Sequence, residues 1–169
     1  MRTATAADIP AVRDLERRAG EPFRAIGLPT IADDEPPAVA DLVAAVDRGR
    51  ITVIDGTGAG EPDLVAWLWL SEADGDLLIE QVSVDPSCRG RRLGTGLIGH
   101  AVDLARAAGR PGVGLTTFRT VPWNAPLYRR LGFSELTDDE LGPDLRRIRD
   151  AERAAGLDVA PRVAMRRTV

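Results

Sequence analysis

One stretch near the middle of the chain constrains its fold more than any other: EQVSVDPSCRGRRLGTGLI, residues 80–98. A run of β-forming residues stops at Asp85 and Pro86, because proline cannot continue a central ladder. An Arg- and Gly-rich loop follows and enters an amphipathic helix predicted over residues 92–108. Leu93, Leu97, Ala101, Leu104 and Ala108 form one apolar stripe on that helix, and Gly109 ends it. Strands that alternate with helices around such a unit imply a mixed α/β sheet with helices on both faces.

The rest of the chain reads consistently with that plan. Residues 1–5 suit an edge strand, and Ile9, Val12 and Leu15 recur at helical spacing after Asp8. Residues 22–37 carry four prolines and the acidic run Asp33, Asp34, Glu35, which predicts an irregular loop before a helix over residues 38–47. The runs 51–54 and 64–70 form paired strands across the turn DGTGAGEP, with Trp67 and Trp69 on one face of the second. Further strands are predicted over residues 77–84, 113–118, 133–136 and 162–167. Helices are predicted over 124–131 and 143–155, the latter with Pro143 in its first turn and Gly156 beyond its end.

Composition removes several classes of chemistry. All 22 Lys+Arg positions are arginine, so a Walker lysine, a Schiff-base lysine and a pyridoxal-phosphate lysine are absent. One Cys and one His build neither a disulfide framework nor a zinc cage, and no metal site is expected. A net charge of -4 argues against a general nucleic-acid binder. The longest apolar run, residues 64–70, is too short to cross a bilayer, which leads to the expectation of a cytoplasmic protein. Cys88 reads as a small exposed loop residue, and His100, on the flank of the apolar stripe, as a structural one.

A helix start presents unpaired N–H groups and partial positive charge, and glycines allow an anion to come close. Gly90, Gly94 and Gly96, with Arg89, Arg91 and Arg92, give residues 89–96 the composition of a diphosphate seat. Gly94, Gly96 and Gly99 also make a Gly-x-Gly-x-x-Gly spacing, but inside a helix in mid-chain, which disfavours a dinucleotide reading.

The segment VSVDPSCRGRRLGTGLI resembles the acyl-coenzyme-A signature of the GNAT superfamily of N-acetyltransferases, with Arg91, Arg92, Leu93, Gly94, Thr95 and Gly96 matching in order. WNAPLYRRLGF, residues 123–133, is similar to that family's segment with an Asn followed by Tyr-x-x-x-Gly-Phe. The resemblance is close over residues 77–136 and rests elsewhere on element order.

It implies a mostly antiparallel central sheet with a splayed parallel strand pair, and one acyl-CoA N-acyltransferase domain over residues 1–169 with a helical insertion at about 137–161. It further implies acetyl-CoA as cosubstrate, with its diphosphate on Arg89 and the backbone of residues 91–96. The pantetheine arm would lie along Val82, Ser83 and Val84, with Asn124 beside it. Tyr128 would protonate the departing thiolate, and Glu80 is the candidate base.

The expected activity is acetyl transfer to a primary amine of a small molecule or peptide by direct attack in a ternary complex. The alternative is a non-catalytic acyl-CoA-binding or regulatory domain. No nucleic acid or membrane partner is expected. For the insertion two roles stay open: a wall of the acceptor pocket or a homodimer contact. The run Asp33, Asp34, Glu35 reads foremost as solvated loop charge; if it bordered the acceptor it would favour a cation, whereas Phe23, Arg24 and Arg119 would favour a carboxylate.

Overall fold

Apolar periodicity and turn residues place thirteen elements along the chain, and the computed structural model describes all 169 residues. In order they are β1 (Arg2–Thr3), α1 (Ile9–Arg24), α2 (Pro29–Ala32), α3 (Val39–Asp47), β2 (Ile51–Asp55), β3 (Leu64–Ala73) and β4 (Asp76–Val84). Then come α4 (Leu93–Ala107), β5 (Gly112–Phe118), α5 (Ala125–Arg130), β6 (Ser134–Glu135), α6 (Pro143–Ala154) and β7 (Arg162–Thr168). The strands form one mixed sheet in the order β1-β2-β3-β4-β5-β7-β6. The β1–β2, β2–β3, β5–β7 and β6–β7 pairs are antiparallel, and β4–β5 is parallel.

The parallel ladder is short. It joins Leu77 to Val113, Leu78 to Gly114 and Ile79 to Leu115. There it ends, although β4 runs on to Val84 and β5 to Phe118.

The chain divides into two compact units, residues 1–70 with 81–98, and residues 71–80 with 99–169. In the first, Ile9, Val12 and Leu15 of α1 pack with Leu42 and Ala45 of α3 on Ile51, Val53, Leu64 and Trp67. Leu15 and Leu42 are fully buried, which stabilises the unit by about 2 kcal/mol for each side chain. In the second, Leu145 of α6 packs on Ala73 and Leu78, with Leu136, Leu141 and Ile148 around them.

Two expectations change. The segment predicted as an irregular loop from Pro22 onward is partly helical: α1 continues through Pro22 to Arg24, and Pro29–Ala32 form one further turn. Pro22 lies in the last turn of α1, where its missing N–H removes one bond rather than breaking a helix in two. Gly20 admits α2 to α1, since a side chain there would meet the Ala32 carbonyl oxygen at 3.1 Å. Secondly, Cys88 is 2% exposed, not an exposed loop residue. The 3-10 turn Pro86–Cys88 carries it inward, held by the Asp85 carboxylate, which accepts from the Ser87 N–H.

No helix is long and apolar enough to cross a membrane.

Candidate active site

The loop between β4 and α4 belongs to the first unit, and its backbone explains its arginines and glycines. Gly90 takes φ +80°, a left-handed conformation that costs glycine little, and Arg92 takes φ +60°, which a side chain rarely adopts. Arg92 is exposed. The first hydrogen bond of α4 runs from the Gly96 N–H to the Arg92 carbonyl. The amides of Leu93, Gly94 and Thr95 precede it, so they lack intrahelical acceptors and, with the helix dipole, offer a seat for an anion.

Arg91 is held from the side. Its Nη1 donates to Glu61 Oε1 at 2.5 Å and to Cys88 Sγ at 3.3 Å. Glu61 in turn accepts from the N–H groups of Thr57 and Gly58, and these bonds together with Arg91 hold its carboxyl below the usual range. The turn at residues 55–62 therefore folds around Glu61, a role that its Gly/Pro composition did not disclose. Below the loop, Asp85 is 4% exposed; it accepts from the Ser87 hydroxyl at 2.6 Å and from Arg18 Nε at 2.6 Å.

Val82, Ser83 and Val84 form the end of β4 beyond the parallel ladder. Ser83 is buried, whereas Val82 and Val84 are half-buried. Beside them stands a carboxylate that pattern reading passed over. Glu16 of α1 accepts from Trp67 Nε1 at 2.8 Å and from Gln81 Nε2 at 2.5 Å. Burial pushes its carboxyl above the usual range, more strongly than these donors pull it down. A sequence signal existed: Ile9, Val12 and Glu16 stand at i, i+3, i+7, so the carboxylate lies on the apolar face of α1.

The remaining predicted residues lie in the second unit. Tyr128 of α5 is 7% exposed and packs edge-to-face on Phe133 at 5.6 Å. Burial pushes its phenol well above the ordinary tyrosine range. Asn124 occupies the N-cap position of α5, but its side chain does not cap the helix. Instead its Nδ2 donates to Thr117 Oγ1 at 2.7 Å, and its Oδ1 is buried without a donor. A buried acceptor left open in a folded protein calls for a ligand or water. Glu80 is exposed and accepts from the Ser71 hydroxyl at 2.5 Å.

A second polar cluster lies in the same unit. Glu152 of α6 is bonded by Arg149, by the Thr116 hydroxyl and by Arg162 Nη2 at 2.7 Å, while the Arg162 guanidinium also lies 4.6 Å from the Phe118 ring centre. No group of His, Cys, Asp and Glu has the arrangement of a metal centre.

A mixed sheet with one short parallel ladder, and a strand leading into a helix start beside it, is the fold that the resemblance implied. The model of the acetyltransferase (GNAT) family matches residues 11–133, and the chain belongs to that family. It is therefore an acetyltransferase of EC 2.3.1 type.

Solved structures with this fold include the PaiA N-acetyltransferase of Thermoplasma acidophilum in complex with coenzyme A, at TM-score 0.70 and 12% identity, covering 99% of this chain and 97% of that one. N-acetylglutamate synthase of Neisseria gonorrhoeae, complexed with coenzyme A and N-acetyl-glutamate, matches at TM-score 0.69 and 20% identity over 99% of this chain. The present chain spans only 34% of that synthase. The ribosomal-protein-S18-alanine N-acetyltransferase of Escherichia coli matches at TM-score 0.64 and 17% identity, covering 99% of this chain and 91% of the other. At these identities the likeness concerns the fold.

Proposed function

We propose that residues 1–169 act as one N-acetyltransferase domain that moves an acetyl group from acetyl-CoA to a primary amine of a small molecule or peptide, by direct attack within a ternary complex. The observation that carries the reading is the start of α4, where the amides of Leu93, Gly94 and Thr95 lack acceptors behind an Arg- and Gly-rich loop. Arg89, Arg91 and Arg92 add charge for the diphosphate, with Thr95 and Gly96 completing the turn. Val82, Ser83 and Val84 would pair with the pantetheine amides as an added strand. The open Asn124 Oδ1 suits an amide N–H of the same arm. When bound, acetyl-CoA supplies an activated acyl group as a thioester.

In this reading Tyr128 carries a proton to the departing sulfur. A phenol near its ordinary pKa of about 10 is a weaker acid than a simple thiol at roughly 8.5, and burial widens that gap on the tyrosine side. The same dry surroundings raise the proton affinity of a thiolate beside it, so the transfer need not be far uphill. Glu80 is the proposed base, and its exposed position lets it pass the proton to water.

Tyr128→Phe tests the assignment. Acetyl transfer to a panel of amines should fall at least about tenfold while the affinity for coenzyme A, measured by calorimetry, stays the same. Unchanged turnover would remove Tyr128 from the acid role, and failure of the unmodified protein to bind coenzyme A would remove the reading as a whole.

A further inference from the structure

Carboxylates that leave solvent in this protein are matched with arginine. Asp76 bonds Arg166, Asp85 bonds Arg18, and Glu152 bonds both Arg149 and Arg162. Half-buried Glu16 is the exception: its partners Trp67 and Gln81 are both neutral, and no guanidinium ion-pairs with it in a chain holding 22 Arg residues. Arg18, two residues further along α1, is directed to Asp85.

An anion held in a poorly hydrated place by neutral donors alone is costly, and supplying a cation lowers the cost. The position matters as much as the charge. Gln81 and Ser83 stand on either side of Val82, one of the residues assigned above to the pantetheine arm, and Gln81 Nε2 also reaches Ser83 Oγ at 3.1 Å. Asp34, also an anion, bears on Glu16 from elsewhere.

We infer that Glu16 is the counter-charge for the acceptor, selecting a primary amine that arrives as an ammonium ion and carries no carboxylate beside it. The inference rests on the acetyltransferase reading and adds the acceptor's charge class to it. Two neutral donors, one on each oxygen, fix the Glu16 side chain in place, so a cation meets an oriented carboxylate rather than a mobile one. An α-amino acid would bring a carboxylate towards both Glu16 and Asp34 and be repelled. Burial supports the assignment in a second way: a carboxyl whose proton affinity is raised returns to the charged state when a cation binds. Glu16 binds and orients in this scheme, and the proton-transfer roles stay with Glu80 and Tyr128.

The experiment compares the protein with its Glu16→Gln and Glu16→Asp variants in acetyl-CoA turnover, read by thiol release, using 1,4-diaminobutane and L-glutamate as acceptors. The unmodified protein should favour the diamine. Glu16→Gln should raise KM for the diamine about tenfold or more with a much smaller change in kcat, and coenzyme A affinity by calorimetry should be unaltered. Glu16→Asp keeps the charge and should recover part of that loss. Calorimetry also guards against misfolding, because a variant that binds coenzyme A normally retains its first unit.

A preference for L-glutamate in the unmodified protein overturns the inference, as does an unchanged KM for the diamine in Glu16→Gln. Loss of coenzyme A affinity in parallel with turnover overturns it too, by showing that Glu16 merely braces β4. Absence of transfer to any amine by a protein that binds coenzyme A defeats the acetyltransferase reading itself, which separates the two failures.

Discussion

Asp74 and Asp144 exchange hydrogen bonds: the Asp74 N–H donates to Asp144 Oδ2 at 2.9 Å, and the Asp144 N–H donates to Asp74 Oδ1 at 2.9 Å. The Leu145 N–H adds a third bond, to Asp74 Oδ2 at 3.0 Å. The turn between β3 and β4 thus caps the first turn of α6, a helix whose own N-cap residue, Gly142, has no side chain to do so. Gly142 is small, and a side chain there would run into the Asp74 carboxylate. Asp74 also holds φ +51°, a conformation that aspartate tolerates better than alanine does.

Asp74→Ala is accordingly expected to lower stability by about 1 kcal/mol or somewhat more, through lost capping and through alanine's dislike of the left-handed region. Thermal unfolding measures the loss, and amide hydrogen exchange should locate the extra opening at residues 143–154. Asp74→Asn, which keeps one acceptor and tolerates the same φ, should lose less. Equal stability of all three proteins would show that α6 needs no cap.

This pair also marks where sequence reading stops. The two ends of α6 were legible from Pro143 and Gly156, but its docking depends on a residue some seventy positions earlier, for which local pattern carries no signal. Arg149 was missed for a related reason: hydrophobic periodicity sends an arginine outward, whereas here Glu152 and Asp158 bond it and it is 4% exposed. The loop of residues 89–96 was legible because its chemistry is local, a strand stop, glycines and a helix start in succession. Cys88 was misplaced because a 3-10 turn inverts inside and outside within three residues. Glu16 was legible in spacing and not in meaning, since its partners Trp67 and Gln81 come from two other elements.

Gly94 offers a way to separate fold from binding. A Cβ at this position would meet only Val84 Cγ2, at 3.4 Å, so the backbone accepts a side chain with little adjustment. In Gly94→Asp the new carboxylate stands among the free amides of the first turn of α4, where negative charge is favourable for the helix. Stability should therefore hold or rise slightly. Affinity for coenzyme A should drop at least about tenfold, because the added charge repels the diphosphate and the added bulk blocks its approach. Gly94→Ala, with bulk but no charge, should fall between the two in calorimetry. If Gly94→Asp binds coenzyme A as tightly as the unmodified protein, the diphosphate does not rest on this turn.

Asp85 ties the same loop to α1 and makes that connection pH-dependent. Burial alone would raise its carboxyl, but bonds from the Ser87 hydroxyl, Arg18 and the Ser87 N–H outweigh it, and the net result lies below the usual aspartate range. A group depressed in the folded state adds stability above its unfolded pKa of about 3.9, and that stability drains away as pH falls through the folded value. In Asp85→Asn the neutral amide still accepts from Ser87 but presents N–H groups towards the Arg18 guanidinium. We expect a loss of about 2 kcal/mol at neutral pH, discounted from a fully buried pair because the Arg18 side chain is 41% exposed. Urea unfolding at neutral pH and below about pH 3.9 checks the sign. The unmodified protein should lose more stability between the two conditions than Asp85→Asn does, so the two curves converge in acid. Parallel curves would mean that the Asp85 charge contributes no more folded than unfolded.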